Sequence, residues 1–212
     1  MRTYAVTTPI LPTRTWTLPM YKEGIKKLSP APGAVGIVTS EEVFETYFAG
    51  DPLFHLVAEH APMEWETLER IAHNREILRK WFLSERKETF QWWIDSDIEI
   101  TDPLGGLKLM EHIQDQNCLM FSNGYPGRER EHNWYGIGCT MIHRDIVDLG
   151  RFYVGKALTD TGRTERISED YLYFSAYDHT KQIILSRIKP GYEDVHRRGD
   201  VVEVLHHTSN QD

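Results

Sequence analysis

Two aspartates separated by one serine, Asp95-Ser96-Asp97, directly follow the run Gln91-Trp92-Trp93-Ile94. Aromatic and β-branched residues suit a covered, pleated strand. Charges at the end of such a strand need a cation, hydrogen bonds or water, because an unpaired buried carboxylate is costly. A D-x-D pair on a leaving strand can serve one hard divalent cation. Mg2+ or Mn2+ takes oxygen ligands and is commonly shared between carboxylates and substrate phosphates. The same three residues also fit a solvated turn or a helix cap.

Three further groups could carry chemistry. Ser168-Glu169-Asp170 fits a helix start, with Ser168 as N-cap and two acids favoured by the helix dipole. It equally fits a carboxylate general base within reach of an attacking hydroxyl. In Trp134-Tyr135-Gly136-Ile137-Gly138 the glycines permit close backbone approach to a ligand or an unusual turn. The two aromatics fit a stacking platform for a sugar ring or an ordinary packed pair. His196, in the run 191–199, is a metal ligand or an ordinary histidine. His206 and His207, close to the terminus, read as solvated.

These residues need elements to position them. Strands are expected over 2–8, 33–39, 89–95, 117–122, 139–143 and 182–188. Helices are expected over 16–28, over 41–48 behind an N-capping Ser40, and over 64–85, where apolar residues recur at spacings of three and four. A further helix over 102–113 opens with Asp102 as cap and Pro103 at its first position. Another over 167–179 opens at Ser168. Alternating strands and helices imply an α/β sandwich with a largely parallel sheet, and such sheets bind ligands beyond the carboxyl ends of their strands. Asp95 and Asp97 fall at that end of a central strand.

Composition narrows the function. The chain has 212 residues, 40% hydrophobic, enough for a sizeable core, and a net charge of -8 that argues against general nucleic-acid binding. No run approaches the apolar length of a membrane span, and residues 1–16 have no apolar leader, so a soluble cytoplasmic protein is expected. Cys118 and Cys139, outside any CxxC pair, read as reduced thiols.

The order of these pieces resembles a known family. Residues 70–100 (RIAHNREILRKWFLSERKETFQWWIDSDIEI), 135–152 (YGIGCTMIHRDIVDLGRF) and 167–196 (ISEDYLYFSAYDHTKQIILSRIKPGYEDVH) are similar, in sequence, to three segments of the family 2-like GT-A glycosyltransferases. The resemblance covers about residues 3–196. It implies a single GT-A-type, Rossmann-like α/β/α domain over 1–212, with a nucleotide-binding half to about residue 100, an acceptor-binding half over 101–196 and a tail beyond. It implies a sugar moved from a UDP- or GDP-sugar to a hydroxyl acceptor on a glycan, glycoprotein or lipid, with Mn2+ or Mg2+ as cofactor and inversion at the transferred carbon. Thr8, Pro9, Arg75, Asp95 and Ser96 would hold the nucleotide, and Asp95, Asp97 and His196 the metal, with His206 the alternative to His196. Asp170 would be the base with Glu169 beside it, and Trp134, Tyr135, Gly136 and Gly138 would face the acceptor. A non-catalytic nucleotide-sugar-binding protein and a metal-dependent nucleotidyltransferase are the competing readings. The second normally needs a Gly-Ser pair before the carboxylates, and residues 84–94 contain no glycine.

Overall fold

The computed structural model describes residues 2–126, 133–134, 136–158 and 164–207, so the expectation for Tyr135 lies outside the described residues, as does any side-chain reading of Trp134. In chain order the elements begin with β1 (Tyr4–Pro9), a 3-10 turn (Pro12–Thr17), α1 (Leu18–Lys26), β2 (Val35–Val38), α2 (Glu41–Tyr47), β3 (Phe54–Ala58) and α3 (Thr67–Glu85). Then come β4 (Phe90–Ile94), β5 (Ile98–Ile100), α4 (Gly105–Asp115), β6 (Cys118–Asn123), β7 (Tyr125–Pro126), β8 (Asn133–Trp134), β9 (Cys139–His143) and α5 (Arg144–Val147). The chain closes with β10 (Gly155–Leu158), β11 (Thr164–Ile167), α6 (Glu169–Ile183), β12 (Asp194–Gly199) and β13 (Val204–His206).

Seven strands form one sheet in the order β12-β6-β9-β4-β1-β2-β3. Only β9 runs against its neighbours β4 and β6. Alternation along the strands sends successive side chains to opposite faces. Tyr4, Val6, Trp92 and Ile94 therefore join one core with α1 and α4, while Ala5 and Trp93 join a second with α3, α5 and α6. The sheet is thus covered on both sides, which explains why the whole of β4, Phe90–Ile94, is buried and apolar except for Gln91. Gln91 donates to Thr7 Oγ1 at 3.1 Å, which answers the amide's donor need inside the sheet. Among the described residues no helix is long and apolar enough to cross a membrane.

Three expected elements differ. The run 182–188 is not a strand: α6 continues through Ile183 into a π-helical turn, Ile184–Ile188. Ile184 alone is buried in that turn, a one-sided pattern that a short apolar run does not distinguish from a strand. The helix expected from Asp102 starts at Gly105 instead. Asp102 accepts from the Leu104 amide at 2.9 Å and pairs with Lys108 at 2.6 Å, closing a turn before the helix. Trp65 stands outside α3 and is 41% exposed. The sequence reading missed β3, β12 and β13, the first two being the sheet's edges.

Candidate active site

The carboxyl ends of β1 and β4 open into a cleft of about 300 Å³ lined by Pro9, Leu11, Arg14, Thr67, Ile71, Arg75, Asp95, Ser96 and Asp97. Thr67, Ile71 and Arg75 are spaced by four along α3 and so share one helix face. Pro9 ends β1, and Asp95 follows the last residue of β4. Thr8 is absent from the lining: it is fully buried, and its hydroxyl is hydrogen-bonded to Tyr21.

Arg75 organises the site. Its guanidinium is buried and reaches three carboxylates: Asp95 at 3.0 and 3.1 Å, Glu169 at 3.3 Å, and Asp170. Burial alone would lower its pKa, but Asp95, Asp170 and Glu169 outweigh that and hold it above the ordinary arginine value. One cation shared among three acids leaves negative charge in excess. Asp95 accordingly has a raised pKa, first through burial and then through Asp97 and Asp170, despite Arg75. Glu169 is raised for the same leading reason, and its Oε2 is buried with no hydrogen-bond partner. Asn74, the neighbour of Arg75, points elsewhere and accepts from the Ala61 amide at 2.9 Å.

Asp97 also lines the cleft and is 8% exposed. It pairs with Arg14, and His206 Nε2 stands 3.6 Å from its Oδ2. Burial pushes the Asp97 pKa up, but His206 and Arg14 outweigh it and bring it below the usual carboxylate range. The histidine arrives by long-range pairing. β13 runs antiparallel to β5, placing His206 opposite Ile98, and the His207 amide donates to the Asp97 carbonyl at 2.8 Å.

Of the two histidines expected as alternatives for the metal, only one is brought beside Asp97. His196 is on β12, where its Nε2 is 2.9 Å from Ser122 Oγ and its ring stacks on Phe174 at 4.7 Å. Burial and Arg198 lower its pKa to about 3, despite Asp194. It is a neutral, packed histidine, and the one beside Asp97 is His206. Its neighbour His207 is likewise engaged, with Glu99 at 2.9 Å.

The two glycines belong to the carboxylates. A Cβ on Gly138 would lie 2.8 Å from Asp95 Cγ, too close for any side chain, and the Gly138 carbonyl accepts from the Asp95 amide at 2.9 Å. A Cβ on Gly136 would meet Asp170 Oδ2 and the Tyr125 hydroxyl, both at 3.0 Å. Glycine at both places lets the strand β9 enter directly against the acids. Tyr125, missed in the sequence, packs its ring edge-on to His206 at 5.3 Å. Arg14 was also missed, since a 3-10 turn after a proline gives no periodic signal.

A divalent cation suits this charge pattern in one place. Among the described residues no three His, Cys, Asp or Glu side chains converge as a ready-made metal cage. Asp97 and His206 offer one oxygen and one nitrogen 3.6 Å apart, beside a cleft lined by two carboxyls, Asp95 and Asp97, and two guanidinium groups, Arg14 and Arg75. Two protein ligands are enough when a substrate diphosphate completes the shell. The residues therefore fit a metal brought in with a phosphate ligand, not one resident alone.

The sheet order, the single reversed strand and the helices on both faces define a GT-A-type, Rossmann-like fold. The chain is similar to glucosyl-3-phosphoglycerate synthase from Mycobacterium tuberculosis, solved with Mn2+, UDP and phosphoglyceric acid: TM-score 0.59, 11% identity, covering 98% of this chain and 72% of that one. It is similar to the mannosyltransferase PcManGT from Pyrobaculum calidifontis, solved with GDP-Man and Mn2+: TM-score 0.57, 15% identity, covering 96% and 58%. It is also similar to A197 from STIV, at TM-score 0.56 and 12% identity, covering 99% and 87%. Neither a protein-family model nor a curated protein matches the sequence.

Proposed function

We propose that this protein is a metal-dependent glycosyltransferase that moves a sugar from a nucleoside-diphosphate sugar to a hydroxyl acceptor, with inversion. The observation that carries this reading is the arrangement of three carboxyl groups, Asp95, Glu169 and Asp170, around Arg75, beside the Asp97–His206 pair. The likeness to solved structures that contain Mn2+ with UDP or GDP-Man supports it at the level of fold.

The chain's residues divide the work. Pro9, Leu11, Thr67 and Ile71 give the cleft an apolar wall for the nucleoside, with Asp95 and Ser96 at its polar end. Asp97 and His206 would hold Mn2+ or Mg2+ together with the diphosphate, where the metal would supply positive charge against the leaving group. Arg14 brings a second positive group to the same phosphates. Asp170 is held by Arg75 and by the Ile137 amide at 3.2 Å, which leaves it able to take a proton from an acceptor hydroxyl. The acceptor oxygen then forms the new bond to the anomeric carbon as the bond to the diphosphate oxygen breaks, and the nucleoside diphosphate departs. The proton ends on Asp170, and attack opposite the leaving group inverts the carbon.

Assay of UDP- and GDP-sugar turnover with Mn2+ tests the reading. Asp97→Ala and Asp170→Asn should each lower turnover about a hundredfold or more, and EDTA should abolish it in the wild type. Nucleoside diphosphate should be the released product, where nucleotidyl transfer would release pyrophosphate. Unchanged turnover in Asp97→Ala would sink the metal assignment, and a bound sugar nucleotide that is never consumed would indicate a binding protein.

A further inference from the structure

A line of polar side chains crosses the sheet from β12 through β6 to β9 and ends beside Asp170. His196 Nε2 lies 2.9 Å from Ser122 Oγ, Ser122 Oγ lies 2.7 Å from Thr140 Oγ1, and Thr140 Oγ1 lies 2.9 Å from the Gly136 carbonyl oxygen. Ser122 and Thr140 are fully buried, on directly paired residues of β6 and β9.

The proton inventory gives this line a direction. A carbonyl only accepts, so Thr140 donates its single hydroxyl proton to Gly136. Thr140 must then accept from Ser122, whose own proton is thereby engaged. Ser122 in turn accepts from His196, which requires the proton to be on Nε2. The depressed pKa of His196, about 3, keeps the ring neutral near neutral pH, with one N–H to give. Every donor points toward Gly136.

The end of the line matters because of the planarity of the peptide unit. The Gly136 carbonyl and the Ile137 N–H belong to the same rigid plane and point in opposite directions. Fixing the oxygen therefore fixes the hydrogen, and that hydrogen is donated to Asp170 Oδ2 at 3.2 Å. The same histidine also packs against the helix that carries Asp170. Its ring lies almost parallel to Phe174, at 9°, and Phe174 is one turn after Asp170 on α6.

We propose that His196, Ser122 and Thr140 are positioning residues: their directed hydrogen-bond chain holds the Gly136–Ile137 peptide so that its N–H fixes the carboxylate of Asp170. This rests on the reading of Asp170 as the base. The chain reaches the reacting atoms only through that peptide, so it sets the orientation of the base and not the binding of the donor.

The test uses the full chain, with two readouts. One is the 1H–15N resonance of the Ile137 amide, which senses its hydrogen bond to Asp170 without any turnover. The other is steady-state sugar transfer. Thr140→Val keeps the shape and removes the donor. It should move the Ile137 amide proton upfield and lower kcat about tenfold, with the donor KM within about twofold. Thr140→Ser restores the hydroxyl and should return both toward wild type. His196→Phe keeps the ring stack without the N–H and should move the amide the same way by less. An Ile137 amide unmoved in Thr140→Val and in His196→Phe overturns the proposal whatever the activity. If Thr140→Val does not fold, His196→Phe decides alone. A moved amide in a protein whose wild type transfers no sugar upholds the chain and sinks the glycosyl-transfer reading, so the two failures are separable.

Discussion

Replacing Arg75 with methionine removes the one guanidinium that Asp95, Glu169 and Asp170 share. Breaking a buried ion pair by deleting one partner costs about 3–5 kcal/mol, because the other charge stays behind without compensation. Here the side chains of Arg75 and Glu169 are 5% and 6% exposed, but those of Asp95 and Asp170 are each 30% exposed and can take up water. The cost should therefore fall at the lower end, about 3 kcal/mol. At about 2–4 °C per kcal/mol for a chain of this size, the melting temperature should drop by about 6–12 °C. The sign of its pH dependence follows from linkage. Without Arg75, Asp95 and Glu169, already raised by burial, bind protons more tightly still in the folded chain than in the unfolded one. Stability then falls as pH rises through their elevated pKa values and is retained below the ordinary carboxylate pKa of about 4. Thermal melts of wild type and Arg75→Met across roughly pH 4 to 8 read this directly. A deficit that widens with pH supports the shared-charge argument. A deficit below about 1 kcal/mol, or one equal at both ends of the range, refutes it. Arg75→Lys should recover only part of the loss, since an ammonium cannot reproduce the planar fork.

His196→Phe should flatten the acid sensitivity of folding. The folded-state pKa of His196 is depressed to about 3, so its contribution to wild-type stability is present above the ordinary histidine value and lost as pH falls from that value toward about 3. The variant should lose about 2 kcal/mol less than wild type between roughly pH 7 and 4, a figure discounted for the ring's partial exposure. Denaturant unfolding at the two pH values checks it, and equal losses contradict it. Gly138→Ala should push Asp95 off Arg75, costing about 1–3 kcal/mol by overpacking and weakening nucleotide binding with it. Unchanged stability and affinity in that variant would mean that Asp95 has room the close approach denies.

The parts of this molecule that local sequence reveals are those whose partners are near in the chain. The apolar run Phe90–Ile94 announces a buried strand, and the acids after it fall at its carboxyl end, because burial on both faces leaves β4 almost no other composition. Ser168 caps α6 as its type suggests, accepting from the Tyr171 amide at 3.4 Å. The long-range parts stayed hidden. Val204–His206 is too short to read as a strand, and its meaning comes only from antiparallel pairing with Ile98–Ile100, about a hundred residues earlier. That is why His206 read as solvated and stood only as the alternative to His196, which sits in a stronger-looking context. The glycines at 136 and 138 permitted a close approach or an unusual turn without deciding between them, and what comes close is the two acids Asp170 and Asp95. Arg14 carried no signal, because an isolated arginine in an irregular turn has no period.

The most direct test of the site is calorimetric titration of UDP and GDP into the full chain, with and without Mn2+, repeated for Asp97→Ala and His206→Ala. If Asp97 and His206 hold a cation that in turn holds the diphosphate, one nucleotide should bind about tenfold or more tightly with Mn2+ present, and each variant should lose that gain. Equal affinity with and without Mn2+ in the wild type, or a metal effect that survives in both variants, would contradict it.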